Sequence, residues 1–422
     1  MMIPYGYKQT EVGVIPEDWD VRKIGDFTDI TAGGTPSTSH PEYWNGEILW
    51  MSSGELNNRR IHNVIGRITE LGYNNSSTHM IPKNCVLIGL AGQGKTRGTV
   101  AVNYVELCTN QSIAAIFPSK EHNSEYLYQN LRSRYAELRE LSSGDGGRGG
   151  LNLTIIKNFP CAFPKLQEQN RIAEALSDVD GMISSLEKLI AKYKSIKTAC
   201  LQQMFPQNGE TVPRMRLPGF TGAWEQRKLM SLCEKFTDGD WIEAKDQSDF
   251  GVRLIQTGNV GLGEYIDKPT NKKWIAEETF ERLNCEEVFA GDILISRLPE
   301  PAGRACIMPN LGVKMITAVD CTIVRTATHI NPKCLLQYLS SQSYFDKVNT
   351  CLAGGTRQRI SRSNLAAFDV PVPAKYEEQK AIGEFLCGID HLITLHQRKL
   401  EKIQKIKQGM MQQLLTGKIR LV

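Results

Sequence analysis

One long segment of this chain occurs twice. The stretch that begins at Glu168 and the stretch that begins at Glu378 align without a gap, 210 residues apart, and share 12 identities over 38 positions. Both begin with Glu-Gln, and both end near a Gln-Gln pair, Gln202-Gln203 in the first and Gln412-Gln413 in the second. Internal repetition is the sequence signature of a duplicated structural unit. The chain is therefore expected to build one architecture twice.

The repetition extends outside these two segments. The stretch WDVRKIGD from Trp19 resembles WEQRKLMS from Trp224. Apolar, strand-like runs follow at corresponding places, and each half ends with a glycine-rich loop and a proline-bearing strand. The corresponding runs are Ile48–Met51 with Val252–Ile255, Cys85–Ile88 with Asp292–Ile295, roughly Asn110–Ile113 with Val319–Thr322, Gly144–Gly150 with Gly354–Gly355, and Phe159–Pro164 with Phe368–Pro373.

The repeated segments have the spacing of paired helices. Their apolar residues alternate at intervals of four and three, which gives an a/d seam over about 38 residues, or about 57 Å of helix. An isolated helix with one apolar stripe needs a partner, and the other copy is the simplest one, so the pattern predicts an antiparallel coiled coil. Two core helices of ordinary domains are the alternative. The seam consists of Ile172, Leu176, Val179, Ile183, Leu186, Ile190 and Tyr193, and of Ile382, Leu386, Ile389, Ile393, His396, Leu400 and Ile403.

The two globular halves combine strand and helix patterns. Short β-branched runs alternate with turns, and helical patterns occur near Glu125–Leu141 and Lys333–Val348. The predicted fold class is α+β, with two tandem mixed α/β domains that are each followed by a long helix. The expected boundaries are 1–165 for the first domain, 166–206 for the first helix, 207–374 for the second domain and 375–422 for the second helix.

Charge and cysteine content narrow the class of protein. The formal net charge is +4, and it is carried by the region from Lys375 onward, so any DNA binding by the domains must use local basic loops. The 11 cysteines have no CxxC spacing, which argues against a zinc site and is typical of buried thiols in a reducing cytoplasm. No signal peptide and no run of about 20 apolar residues is found, so we expect a cytoplasmic protein with no membrane contact.

Several of these stretches resemble one known family. The segment ITAGGTPSTSHPEYWNGEILWMSSGEL from Ile30 is similar to the opening of a target-recognition domain in the DNA-specificity subunits of type I restriction-modification systems. The lead-ins IPEDWDVRKIGD and LPGFTGAWEQRKL and the helices that begin at Glu168 and Glu378 resemble the same family, the helices matching its conserved spacer regions. The second half lacks the GGTP…YW opening, so the two domains should read different sequences.

The resemblance implies a role in an assembly. A specificity subunit binds double-stranded DNA at a bipartite, asymmetric target, holds two methyltransferase subunits and, in the full complex, restriction subunits. It has no catalytic or metal site of its own. S-adenosylmethionine, ATP and Mg are then expected on the partner subunits, with no cofactor on this chain.

The segment Gly89–Thr96 suggests a different function. It matches the phosphate-binding pattern GxxxxGK[ST], and a strand-like run precedes it. A phosphate-binding loop needs a helix directly after it, whereas Arg97–Val102 is rich in β-formers. A nucleotide-binding enzyme is therefore the alternative function. The other interpretations are a glycine-rich hairpin near DNA phosphates and a plain surface turn.

Candidate DNA contacts lie in polar loops. Arginine, asparagine and glutamine can pair with base edges, and arginine and lysine also reach phosphates. For each candidate the alternative is a solvated surface group. The candidates are Asn57, Asn58, Arg59, Arg60, Lys95, Arg97 and Arg148 in the first half, and Gln256, Asn259, Lys272, Lys273, Arg297, Arg304, Arg357, Arg359 and Arg362 in the second.

Overall fold

A computed structural model describes residues 3–92, 96–141, 150–207, 209–355 and 358–422. The chain divides into two compact units. Unit 1 comprises Met1–Leu186 and Lys399–Val422, and unit 2 comprises Glu187–Arg398. Each unit thus contains one globular half together with part of both long helices.

Unit 1 contains two mixed sheets and two small strand pairs. One sheet has the order β4-β12-β9-β10-β6 and the other β7-β5-β11-β8, while β1 pairs with β2 and β3 with β13. The strands are β1 Tyr7–Thr10, β2 Gly13–Pro16, β3 Asp20–Lys23, β4 Ile30–Ala32, β5 Trp44–Met51, β6 Arg60–Ile61, β7 Arg67–Ile68, β8 Met80–Ile81, β9 Val86–Gly89, β10 Val100–Asn103, β11 Leu107–Thr109, β12 Ile113–Ile116 and β13 Pro160–Phe163. The helices are α1 Glu70–Asn74, α2 Ser124–Ser133, α3 Tyr135–Leu141, α4 Leu153–Lys157 and the long α5 Leu166–Met204, which continues into unit 2.

Unit 2 has nearly the same plan. Its sheets have the orders β15-β22-β19-β20 and β16-β18-β17-β21, and β14 pairs with β23. The strands are β14 Glu225–Lys228, β15 Cys233–Asp238, β16 Gln247–Ser248, β17 Val252–Ile255, β18 Lys273–Ile275, β19 Ile293–Ser296, β20 Ala305–Ile307, β21 Met315–Thr317, β22 Cys321–Thr326 and β23 Asp369–Val372. The helices are α6 Glu277–Leu283, α7 Pro332–Tyr338, α8 Gln342–Thr350, α9 Arg362–Ala367 and the long α10 Tyr376–Leu414, which ends in unit 1.

The strand registers confirm the repeat and correct it at one place. In unit 1 Ile113 pairs with Gly89, and in unit 2 Cys321 pairs with Ser296. Ile113 therefore corresponds to Cys321, whereas the sequence comparison set it against Thr322. The error of one residue arose because these two short runs share no identity that could fix their alignment.

The long helices pack together within each unit, in opposite directions. In unit 1 Lys407 of α10 donates to Asp180 of α5 over 2.6 Å. In unit 2 Lys197 of α5 donates to Asp390 of α10 over 2.5 Å, and Tyr193 stacks on His396. Since 193 and 197 on one helix meet 396 and 390 on the other, the helices run antiparallel there. Every residue of the predicted seams is buried or half-buried.

Corresponding contacts also join each globular half to its long helix. In unit 1 the Trp19 indole donates to Glu168 over 3.0 Å, and Gln129 donates to Asp180 over 2.8 Å. In unit 2 Trp224 donates to Glu378 over 3.3 Å, and Gln337 donates to Asp390 over 2.9 Å. The glutamate that starts each repeat, Glu168 or Glu378, therefore has a structural role as an attachment point.

The predicted shorter helices are each divided in two. The pattern near Glu125–Leu141 forms α2 and α3, and the pattern near Lys333–Val348 forms α7 and α8. In the second pair the Ser341 hydroxyl accepts from the Tyr344 amide and starts a new helix, which period alone does not reveal. Within the described residues, no helix is long and apolar enough to cross a bilayer.

Candidate nucleic-acid interface

The Gly89–Thr96 segment joins two antiparallel strands. Strand β9 ends at Gly89, and β10 begins at Val100 and pairs back on β9, with Val100 opposite Ile88. A strand therefore stands where a phosphate-binding loop requires the amino end of a helix. Arg97 is half-buried in the turn, and its amide donates to the Gly92 carbonyl over 3.3 Å. Lys95 lies outside the described residues.

The Asn57–Arg60 segment divides into an exposed part and an internal part. A 3₁₀ turn, Ser53–Asn58, is followed by Arg59, whose φ of 62° lies in the left-handed region and ends the turn. Asn57, Asn58 and Arg59 are exposed, and the Asn57 amide donates to the Gly54 carbonyl over 3.1 Å. These three side chains are placed where a contact with DNA is physically possible.

Arg60 has a different placement from its neighbours. Its guanidinium donates to Glu125 over 2.7 Å and to Asp180 over 2.9 Å, and it lies over the Tyr128 ring. Burial opposes the charge, but the two carboxylates outweigh that effect and raise the pKa of Arg60. These ion pairs attach the domain to α5, and a DNA contact by Arg60, which stays a prediction, would have to break them.

Arg304 and Asn259 in unit 2 are also internal. Arg304 is 8% exposed, and its guanidinium donates to four backbone carbonyls, those of Val260, Thr257, Leu298 and Pro301. Asn259 is 4% exposed, and its amide donates to the Ile266 carbonyl over 2.9 Å. Both side chains fix loop backbone, so the prediction that they contact DNA would require those loops to open.

Three other candidates in unit 2 remain accessible. Gln256 is half-buried at the start of the turn that Asn259 closes. Lys272 is exposed and Lys273 is half-buried, and both line an open polar depression of about 340 Å³ with Gln247, Ser248, Asp249 and Trp274. This depression carries two positive charges and one negative charge, which suits a phosphate group better than a neutral ligand.

The structure brings three predicted arginines together. The amide of Ile360 donates to the Arg297 carbonyl over 3.1 Å, which holds the segment containing Arg359 and Arg362 against the end of β19. Arg359 and Arg362 are exposed, whereas Arg297 is 8% exposed. Two further candidates, Arg148 and Arg357, lie outside the described residues.

The sequence analysis missed Asp238, which joins this group. The carboxylate of Asp238, at the end of β15, lies 3.4 Å from Arg297 Nε and 3.8 Å from Arg362 Nε. It also accepts from the Thr322 hydroxyl over 2.8 Å. Asp238 belongs to no basic loop and to no motif, so the sequence alone had no signal that would select it.

Metal and thiol chemistry have little support in the described ranges. There, no group of three or more His, Cys, Asp or Glu side chains is arranged to hold a metal ion. The cysteines are unpaired, and eight are buried and three half-buried. Burial raises the pKa of Cys85 and Cys334 to about 12, so these thiols stay protonated and unreactive at neutral pH.

A comparison with protein families matches both halves of the chain. The family model described as the type I restriction modification DNA specificity domain matches residues 16–196 and again 222–405. The two matches correspond to the two copies of the repeat.

Curated relatives and solved structures agree over nearly the full length. The chain is 33% identical to the type I restriction enzyme MjaIX specificity subunit of Methanocaldococcus jannaschii, over 98% of this chain and 96% of that protein. It is 25% identical to the MjaVIII specificity subunit of the same organism, over 96% and 94%. A solved S subunit of a type I system from M. genitalium has a TM-score of 0.61 at 14% identity, over 94% of this chain and 96% of that one. A chain from a structure on complex assembly and conformational transition of the type I R-M system has a TM-score of 0.53 at 16% identity, over 96% and 99%.

Proposed function

Because the chain belongs to the family of type I restriction-modification DNA-specificity subunits, we propose that it reads a bipartite, asymmetric DNA target with its two globular halves. The observation that carries this proposal is the combination of a shared framework with different loops. The registers of β4, β9 and β12 are repeated in β15, β19 and β22, while the side chains at the loop ends differ. One framework with two sets of loop residues suits a protein that reads two different half-sites.

The long helices are the proposed scaffold for two methyltransferase subunits. They form an antiparallel coiled coil that also sets the distance between the half-sites. Each helix carries further apolar residues outside the buried seam: Met182, Leu189 and Ile196 on α5, each seven residues apart, and Phe385, Leu392 and Ile406 on α10, seven and fourteen residues apart. Met182 is 55% exposed and Ile406 48% exposed. Met182 and Ile196 correspond in the repeat to Leu392 and Ile406, and apolar residues at corresponding places suit two copies of one partner. Restriction subunits then join the full complex.

The chain performs no chemistry in this proposal. S-adenosylmethionine, ATP and Mg are bound by the partner subunits. The alternative, a nucleotide-binding enzyme that uses Gly89–Thr96, is not favoured because β10 follows that segment instead of a helix.

Sequencing of methylated DNA tests the reading function. A host that expresses this chain with its methyltransferase subunit should acquire one bipartite methylated motif. When residues 1–165 are replaced by the matching region of a relative, one part of the motif should change while the other part and the spacing stay the same. A control chimera in which only exposed residues of helix α1 are exchanged should leave the motif intact. If the full replacement changed both parts, the two halves would not read independently.

A further inference from the structure

A charged cluster occupies the surface of unit 2 where β15, β19 and α9 meet. It consists of Asp238, Arg297 and Arg362, the last residue being the first of α9. The Asp238 carboxylate faces both guanidiniums, at 3.4 Å from Arg297 and 3.8 Å from Arg362. Two positive charges and one negative charge leave the cluster with a net charge of +1.

The geometry assigns different tasks to the two arginines. The Arg297 side chain is 10% exposed, and its terminal nitrogen also donates to the Val319 carbonyl over 2.6 Å, so it is fixed inside the domain. The Arg362 side chain is 46% exposed and faces Asp238 through Nε. A carboxylate on the Nε side of a guanidinium faces Nε–H and one terminal N–H, and leaves the end-on fork, one N–H from each terminal nitrogen, to pair with the two acceptors of a guanine edge.

The three positions of the cluster have counterparts in unit 1, which the strand registers and backbone hydrogen bonds identify. Ile113 corresponds to Cys321, so the next residues, Ala114 and Thr322, also correspond. Ala114 pairs with Ala32 and Thr322 pairs with Asp238, and Ala32 therefore corresponds to Asp238. The Leu90 carbonyl accepts from Leu151 over 3.1 Å, as the Arg297 carbonyl accepts from Ile360, so Leu90 corresponds to Arg297. Leu153 and Arg362 are the first residues of α4 and α9, and each lies two positions after the residue that donates, Leu151 or Ile360, so Leu153 corresponds to Arg362.

The corresponding side chains in unit 1 are apolar. Leu90 is 9% exposed, and Ala32 and Leu153 are partly buried against the same core cluster. The same arrangement of strands and helix is therefore stable in unit 1 with an alanine and two leucines at these three positions. Asp238 is half-buried and Arg297 is buried, and keeping charged groups there costs free energy that apolar groups do not cost. The charges in unit 2 are then better explained by a ligand than by the fold.

We propose that Asp238 is a positioning residue that, with Arg297, aims Arg362 at a guanine edge in the second part of the DNA target. The cluster is a specificity determinant of one half-site and has no counterpart in the other. This inference rests on the proposed function, because it needs the second globular half to be a DNA reader.

The test is methylated-motif sequencing of variants expressed with the methyltransferase subunit. Asp238→Asn keeps the shape and removes the charge, and we expect discrimination at one base pair of the second part to fall about 5- to 150-fold, the range for losing one two-pronged arginine contact. Arg362→Lys should give the same defect, since lysine keeps the charge but lacks the planar fork. Asp238→Glu should restore part of the discrimination.

A grafted variant separates specificity from folding. The triple substitution Asp238→Ala, Arg297→Leu and Arg362→Leu installs the residues of the first half, which that framework accommodates, so its thermal unfolding should stay near that of the native chain. It should lose selectivity in the second part of the motif and keep the first part. The matched control is Glu277→Gln, which removes the surface ion pair with Lys314 of the same unit and should leave the motif unchanged.

Each outcome decides the proposal. An unchanged motif in folded Asp238→Asn and triple variants would overturn it, and so would a uniform loss of methylation with an unchanged motif, which indicates a phosphate contact. If the native chain and its methyltransferase produced no bipartite motif, the proposed function itself would fail, and that result is distinguishable from a native motif that the variants leave intact.

Discussion

The ion pair between Asp180 and Lys407 gives a quantitative test of how the long helices are held in unit 1. The Lys407 side chain is 5% exposed and that of Asp180 is 13% exposed. The corresponding pair in unit 2, Lys197 and Asp390, is more open, at 16% and 37%. Asp180→Asn and Asp390→Asn therefore make the same chemical change at corresponding positions with different burial.

The expected magnitudes follow from burial. Asp180→Asn leaves the Lys407 ammonium buried without its carboxylate and also removes one of the two carboxylates that pair with Arg60, which together cost about 3–5 kcal/mol. Asp390→Asn removes a partner that water replaces in part, which costs about 1 kcal/mol or less. For units of about 210 residues, where 1 kcal/mol shifts Tm by about 2–4 °C, Asp180→Asn should lower Tm by roughly 6–20 °C and Asp390→Asn by less than about 4 °C.

Scanning calorimetry measures the two Tm values, and hydrogen exchange over residues 172–186 identifies which unit has loosened. The reasoning would be refuted if Asp390→Asn lowered Tm as much as Asp180→Asn. It would also be refuted if Asp180→Asn changed Tm by less than about 2 °C, because the buried ammonium would then have found another partner.

Three further predictions concern pH, buried arginine and chemistry. Burial opposes the charge of Asp180, but its contacts with Lys407, Gln129 and Arg60 outweigh burial and hold its pKa at about 2, below its usual 3.8. The stability that Asp180 contributes is therefore fully present above pH 3.8 and is lost as pH falls toward 2. Acid titration of unfolding should show this loss in the native chain and not in Asp180→Asn. Arg304→Ala should lower Tm, because four backbone carbonyls lose their donor. Arg359→Ala should leave Tm unchanged and weaken DNA binding, with the slope of log affinity against log salt reduced by about 1. If Arg359→Ala lowered Tm and Arg304→Ala weakened only DNA binding, the structural and DNA-contacting roles would belong to the other arginine. The purified chain, incubated with labelled S-adenosylmethionine and DNA, should transfer no label until the methyltransferase subunit is added, and transfer by the chain alone would contradict the non-catalytic role.

Much of the architecture could be predicted because it depends on periodicity and repetition. The seams of α5 and α10 follow from heptad spacing, and the strand–helix order follows from comparing one half with the other. The division of α2 from α3 depends on local backbone geometry that period does not encode.

The candidate site was less accessible to sequence reasoning. Three arginines of the kind that contacts DNA have partners inside the protein. Arg60 pairs with an aspartate 120 positions away, Arg297 lies beside the carboxylate that Arg362 also faces, and Arg304 donates to four loop carbonyls. A sequence shows which side chains carry charge, but folding decides which of those charges are already paired. Asp238 was missed for the same reason, because its importance comes from neighbours that are distant in sequence.

An arginine completes the attachment of each globular half to its long helix. In unit 2 Arg216, in the continuous link between α5 and β14, donates to Glu378 over 2.7 Å. In unit 1 the same task falls to Arg420, which donates to Glu168 over 2.7 Å and to Asp18 over 2.8 Å, while the Tyr7 hydroxyl donates to the Gly417 carbonyl over 2.9 Å. The arginine that follows each long helix thus holds the glutamate at the start of the other long helix. Each unit therefore depends on a contact between residues far apart in sequence, 162 positions in unit 2 and 252 in unit 1, so losing either arginine should loosen the helix start in its own unit.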